Sequence, residues 1–176
     1  LAGLDVVHPL PICQARSNQR TFAGNNLQWQ FSDIQLQNLK RFAVAHNVTL
    51  FMLLHALLSL LICRHTQHQQ VVIGTPVANR HHPQLDNLVG FFINNLVLKL
   101  DCDLSLSFNQ FLSQVKQTNL DALSRQTVPF EQLVEKLSPG RSLYYSPLFQ
   151  IMLILDNTHG EGESDFKLPF SLQPQP

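Results

Sequence analysis

His81 and His82 stand side by side in "NRHHPQLDNLVGFF", residues 79–92, and Asp86 follows four positions after His82. An imidazole held by a carboxylate is a general base for acyl transfer. It takes the proton from an attacking amine or hydroxyl and must be fixed in one tautomer to do so. These residues are of the right types. Their surroundings argue for a different reading. Pro83 follows the pair directly, and Asn87 stands after the aspartate where a glycine would let the backbone turn tightly. Both are turn residues, and "TPVANR" before His81 is no apolar strand on which to mount a base. We expect His81, His82 and Asp86 to be a solvent turn that spells a catalytic motif by chance.

The other histidines carry weaker signals. His65 and His68 follow Cys63 without the cysteine pairing of a zinc site and read as a polar loop after a helix. His55 and Ser59 form an i, i+4 pair on an apolar helix, the pattern of a satisfied core pair. There is no Gly-rich phosphate loop and no nucleophile elbow. No metal site is expected.

The elements that must position any site are legible in the periodicity. "NLQWQFS" alternates Leu27, Trp29 and Phe31 against glutamines, as a half-buried strand does. "SDIQLQNLKRFAVAHN" is a helix capped by Ser32 or Asp33, with Asn47 as its stop. Thr49 caps an apolar helix over 50–64. "QVVIGTPVAN" reads as a short strand broken by Gly74 and Pro76. "GFFINNLVLKLD" is the longest strand candidate, 90–101. A helix behind Ser105 or Ser107 carries Phe108, Phe111, Leu112, Val115 and Leu123. A short helix begins at "VPFEQL", with Pro129 and Glu131 in its first turn. "SPLFQIMLILDN" is an apolar strand. The expected order is βαα-β-β-αα-β-β, an α/β two-layer sandwich with a mixed sheet covered by helices. Residues 1–24 read as an extended connector, 25–156 as one lobe, and 157–176 as a flexible loop with a possible edge strand.

The totals bound the function. The chain has 176 residues and 44% hydrophobic content, enough for one domain with a core. Twelve Lys+Arg balance twelve Asp+Glu, so no net field favours nucleic acid or an anionic membrane. Charged residues are 14% of the chain, below the usual share of about 25%, so some apolar surface is expected to be covered by a partner. The three cysteines, Cys13, Cys63 and Cys102, are far apart in sequence and read as reduced thiols of a cytoplasmic protein. The apolar run 50–63 is too short to span a bilayer. The chain starts without Met inside a Pro-containing connection, which reads as a piece of something longer.

Strand alternation places Phe92, Asn94, Leu96, Leu98 and Leu100 on one face of 90–101. Asn94 is the one polar group on that face. It is either satisfied by backbone or water, or it lines a polar tunnel.

Four segments in order, "VVIGTPVANR", "LVGFFINNLVLKL", "VPFEQLVEKL" and "RSLYYSPLFQIMLIL", resemble the second half of a condensation domain of nonribosomal peptide synthetases. The resemblance runs from about residue 20 to about residue 156. It implies the C-terminal lobe of a chloramphenicol-acetyltransferase-like fold. In that family two carrier proteins bring phosphopantetheine thioesters to a tunnel between two lobes, and the acceptor amine attacks the donor thioester. The family's His-His-x-x-x-Asp-Gly motif lies in the first lobe, so the resemblance makes this chain inactive alone. The family pattern Gly-Phe-Phe-Val-Asn-Thr falls on Gly90 to Asn95 and implies a tunnel lined by Gly90, Asn94 and Asn95. Asn95 departs from the family's threonine. A second family segment falls on Arg125 to Glu131, with Arg125 and Thr127 departing from it. Pro129, Phe130 and Glu131 read as a helix start, and Arg141, Ser146 and Pro147 as structural groups at a strand entrance. Arg80 is a candidate inter-lobe contact or a solvated surface group.

The partners implied are the N-terminal lobe of the same domain, peptidyl carrier domains and an adjacent adenylation domain. No cofactor is expected on this chain itself; phosphopantetheine rides on the carriers. Three readings stand beside one another: a condensation lobe, an enzyme using His82 in its own right, and a non-catalytic lobe that docks carriers. An epimerisation-type relative shares the fold, though "GFFINN" looks more like condensation. Exposed apolar surface and self-association of the chain are also expected.

Overall fold

The computed structural model describes residues 1, 3, 4, 7–11, 24–80, 82–85, 87–137 and 145–156. Helix α1 (Asp33–Ala45) starts at a capping box. The Gln35 amide donates to Ser32 Oγ at 3.3 Å and the Ser32 amide donates to Gln35 Oε1 at 2.9 Å, so two helix-end donors are satisfied reciprocally. Asn47 in the left-handed region (φ 53°) ends the helix, and the chain bends by 101° into α2 (Leu50–Thr66). Thr49 Oγ1 caps α2 by accepting from the Met52 amide at 3.1 Å. Strand β1 (Gln70–Val77) pairs antiparallel with β2 (Asn94–Asp101), from Val77 opposite Asn94 to Gln70 opposite Asp101. A 3-10 turn (Pro83–Leu85) lies in the connection. Helix α3 (Phe108–Ser124) opens with the same Ser-x-x-Gln box, Ser107 with Gln110. Helix α4 (Phe130–Leu137) follows.

The sheet is mixed. On the other edge of β1, the Gly74 amide donates to Ile151 O and the Leu153 amide donates to Gly74 O, both at 2.9 Å, a parallel bridge. One sheet face packs Val71, Ile73 and Leu100 against Leu53 and Ala56 of α2 and Phe111, Leu112 and Val115 of α3. The opposite face packs Val72 and Val97 against Leu148 and Phe149, with Leu4 and the apolar side of α4 around them. Each such side chain withdrawn from water contributes about 2 kcal/mol. The α/β sandwich expected from the sequence is the observed architecture.

Four expectations about the strands are corrected. β1 is not broken: it runs through Gly74 and Pro76. Gly74 is required by packing, because a Cβ there would collide with the Phe149 ring. Hydrogen-bonding direction alternates along a strand. Gly74 bonds toward Ile151–Leu153, so Pro76 also turns its backbone nitrogen away from β2, and its missing N–H costs no β1–β2 bond. Second, β2 begins at Asn94, not Gly90. Its partner strand ends at Val77, so residues 90–93 have no ladder to join, and Phe91 and Ile93 are exposed. Third, Leu27, Trp29 and Phe31 form no strand and are exposed, Leu27 almost completely (98%). Alternation marks a strand only where a neighbour supplies hydrogen bonds, and no described residue pairs with them. Fourth, the segment 148–156 supplies one bridge rather than a full strand. It is entered through a tight turn in which Leu148 has φ 68° and the Phe149 amide donates to Pro147 O at 2.9 Å. The possible edge strand near 166–172 and most of the expected connector lie outside the described residues.

Candidate functional site

The first ladder pair, Val77 opposite Asn94, marks the end of the sheet where most of the sequence candidates gather. Asn94 is 8% exposed. Its Nδ2 donates to Gln126 O and to Val128 O, each at 2.7 Å. Its Oδ1 accepts from the Asn95 amide at 2.9 Å and from the Phe130 amide at 3.0 Å. A carboxamide has two N–H donors and two acceptor positions, and all of them are taken by backbone. The side chain therefore welds the start of β2 to the loop between α3 and α4. It also satisfies an N-terminal amide of α4, a donor with no partner inside the helix. The backbone satisfaction that the sequence allowed for this residue is present.

Pro129 precedes α4, Phe130 packs on Phe149 with ring centroids 5.5 Å apart, and Glu131 lies exposed in the first turn, where an acidic group suits the positive helix end. Gln150 Nε2 donates to Ser146 O at 3.0 Å beside Pro147. Arg141 lies outside the described residues.

Arg80 organises the loop that precedes β2. Its guanidinium donates to Leu85 O and, at 3.0 Å, to Leu88 O. It stacks over the Phe92 ring at 4.3 Å from the centroid. The Phe92 ring in turn lies close over Gly90: a Cβ on Gly90 would sit 3.1 Å from Phe92 Cε2. Arg80, Phe92 and Gly90 thus form one stack. Asn95, half-buried, sits opposite Pro76 in the ladder.

His82 is exposed and opens the 3-10 turn, its carbonyl accepting from the Leu85 amide at 2.8 Å. His81 and Asp86 lie outside the described residues. No group of three or more His, Cys, Asp or Glu among the described residues is placed to hold a metal ion.

A cleft of about 290 Å³ opens beside the same end of the sheet, between the first turn of α2, the second half of α3 and the 154–155 segment. Thr75, Leu96 and Leu98 form part of its floor, and Asn119 lines its α3 side. Behind it is a buried polar pair. Asn119 Nδ2 donates to Val115 O at 2.7 Å and to His55 Nδ1 at 2.9 Å. An amide nitrogen only donates, so His55 Nδ1 accepts and the ring carries its proton on Nε2. Burial lowers the His55 pKa to about 4 against the smaller opposing effect of the Asn119 bond, so the ring is neutral. The expected i, i+4 pairing of His55 with Ser59 is not the bond found; the partner is Asn119 on the next helix. The signal was present in the sequence. Phe111, Val115 and Asn119 follow at i, i+4 spacing, so Asn119 had to face the core.

Cys63 and Cys102 are free and buried, in the last turn of α2 and just after β2. Desolvation, then the neighbouring Cys63, pushes the Cys102 thiol up to about 12. His65 and His68 are exposed at and just beyond the end of α2. No single helix among the described residues is long and apolar enough to cross a membrane.

Comparison with known proteins gives concordant results. The family model described as "Condensation domain" matches residues 1–173. Gramicidin S synthase 2 of Brevibacillus brevis is 37% identical over 161 residues, which is 92% of this chain and 4% of that protein. Phosphinothricin tripeptide synthetase of Streptomyces viridochromogenes is 34% identical over 169 residues, 96% of this chain and 16% of that protein. The chain therefore spans a small part of the length of these curated relatives. Among solved structures, a four-domain nonribosomal peptide synthetase bound to AMP and glycine superposes with a TM-score of 0.84 at 29% identity, covering 88% of this chain and 12% of that one. The X-domain from teicoplanin biosynthesis superposes with a TM-score of 0.80 at 22% identity, covering 86% of this chain and 34% of that one, and shares the fold.

Proposed function

Because this chain belongs to the condensation-domain family of nonribosomal peptide synthetases, we propose that it supplies one wall of a chamber in which a peptide bond is made. A donor acyl or peptidyl thioester and an acceptor aminoacyl thioester arrive on the phosphopantetheine arms of carrier proteins, and the acceptor amine attacks the donor carbonyl. The chain binds no cofactor itself. Its partners are the N-terminal lobe of the same domain, the carrier domains and a neighbouring adenylation domain, in the cytoplasm.

The observation that carries this reading is the Asn94 weld. A reacting pair must be held to within a fraction of an ångström, and a wall built of strand, loop and helix start locked by one carboxamide is suited to that. On this reading Gly90, Asn94 and Asn95 border the tunnel. Asn94 acts by fixing the wall rather than by bonding the reacting groups, since its hydrogen-bonding positions are already filled. Arg80 serves the same wall through its own loop rather than by reaching across to the other lobe.

The base comes from elsewhere. Among the described residues, His82 stands exposed on a turn without the buried carboxylate partner that fixes a catalytic imidazole. The chain by itself is inactive. Its uncovered apolar groups, Leu27, Trp29, Val89 and Phe91 among them, make it self-associate when isolated.

The test is a single-turnover reaction in the synthetase that contains this chain, with donor and acceptor loaded on their carriers. A new peptide thioester on the acceptor carrier is expected, and none from this chain alone. An acceptor-bound residue with inverted α-carbon and no new amide would assign the epimerisation reading instead. Carrier binding with no turnover would assign the docking reading.

A further inference from the structure

We propose that the cleft beside the Asn94 end of the sheet is a binding site for an apolar group ending in a hydroxyl, a phenol-like side chain above all. If the proposed function holds, its occupant is the side chain of one of the two aminoacyl substrates; that assignment rests on the condensation reading, whereas the site itself does not.

The walls set the first requirement. Phe51 and Met52 of α2, Leu98 of β2, Leu123 of α3 and Ile154 surround a space of about 290 Å³. That lies at the lower edge of small-ligand pockets, roughly 300–1,000 Å³. No charged side chain lines it among the described residues. A charged ligand group would lose its water there without gaining a counter-charge, so the occupant is neutral.

The polar groups set the second. Among the described residues, three that line it carry polar side chains: Thr49, Thr75 and Asn119. Thr49 Oγ1 already caps α2. Asn119, 3% exposed, has both N–H groups committed, one to Val115 O and one to His55 Nδ1. What it has left to offer is Oδ1, an acceptor. Thr75 is 6% exposed, and its hydroxyl makes no hydrogen bond among the described residues. The site thus presents one acceptor and one hydroxyl on the lining of an apolar cleft. A ligand hydroxyl matches both, donating to Asn119 Oδ1 and accepting from the Thr75 hydroxyl. A methyl group in the same place would leave both buried groups unpartnered. The His55 bond gives this arrangement its sign: by taking an Asn119 N–H, the neutral ring leaves the carboxamide oxygen as the atom on offer.

The probe is p-cresol, with toluene as the counterpart that lacks the hydroxyl, titrated into the full chain while the methyl resonances of Met52, Thr75 and Leu123 are followed. p-Cresol is expected to shift these resonances and to bind several-fold more tightly than toluene. Thr75→Val keeps the shape and removes the hydroxyl, and should cut that preference by about 2- to 10-fold, the worth of one hydrogen bond. Leu123→Trp fills the cleft and should abolish binding of both probes. Equal affinity for p-cresol and toluene, unchanged preference in Thr75→Val, or undiminished binding in Leu123→Trp would overturn the proposal. The readout involves no peptide-bond chemistry. Loss of the condensation reading leaves it standing, and a synthetase that condenses normally does not rescue it.

Discussion

Asn94 Oδ1 accepts the backbone N–H of Phe130 at 3.0 Å, across 36 positions of sequence. This one bond ties the first residue of β2 to the first residue of α4, and the same carboxamide holds the two loop carbonyls between α3 and α4.

Asn94→Ala removes all of these bonds at once. A buried donor or acceptor left without a partner costs about 1–3 kcal/mol, and water entering from the adjacent loop recovers part of the sum. We expect a loss of about 3 kcal/mol, read as a lower urea midpoint at unchanged slope. Peptide-bond formation in the synthetase should fall as well, because the wall loses its fixed geometry. A variant as stable as the wild type would show that the weld is dispensable.

Gly74→Ala places a methyl group in the Phe149 ring. Overpacking of this kind costs about 1–3 kcal/mol. The penalty should shrink in a Phe149→Leu background, where the ring is absent, and urea unfolding of the four proteins closes the double-mutant cycle. Equal penalties in both backgrounds would mean that something other than the ring excludes a side chain at this position.

The buried His55 predicts the direction of pH dependence. Its folded pKa, about 4, lies below the ordinary 6.5, so between those values the unfolded chain takes up a proton that the folded chain refuses. The stabilisation is complete above about pH 6.5, declines as pH falls toward 4, and amounts to about 3 kcal/mol across that window. His55→Phe removes the titrating group. The difference in unfolding free energy between wild type and His55→Phe should therefore slope between pH 6.5 and 4 and be flat at higher pH. A constant difference over the whole range would contradict a neutral, desolvated ring.

How much of this was legible in the sequence follows from where each signal resides. Capping is local, so Thr49, the neighbours Ser32 and Asp33, and the pair Ser105 and Ser107 announced their helices, and the caps proved to be Thr49, Ser32 and Ser107. The alternation of Asn94, Leu96, Leu98 and Leu100 gave the face of β2 correctly, because β1 lies beside it to make a sheet. The same alternation at Leu27, Trp29 and Phe31 misled, because pairing is supplied by a neighbour and not by the segment itself. Gly74 and Pro76 read as breakers for a related reason. What decides there is the ring of Phe149 and the direction of the Pro76 nitrogen, and both are tertiary facts. Within the candidate site, Asn94 was found by its solitary polarity on an apolar face. Its partners, the carbonyls of Gln126 and Val128 and the amide of Phe130, are backbone groups that no residue type announces. Asn119 was missed although its spacing from Phe111, Val115 and Leu123 pointed inward, since a polar residue inside an apolar stripe is passed over when only apolar positions are read.

The central claim is that this chain builds a wall of the reaction chamber while the proton-handling imidazole belongs to another part of the synthetase. His82 is the group on which that claim is most exposed, since it alone among the described residues carries the look of a catalytic motif. The direct measurement is the single-turnover rate of peptide-bond formation in the synthetase bearing His82→Ala, with both carriers loaded. A positioned general base contributes about 10²–10⁴-fold to a rate, whereas a solvated turn residue contributes almost nothing. A rate within about twofold of wild type is expected, far inside that margin. A loss of about 100-fold or more, in a variant that remains folded, would place the base on this chain and contradict it.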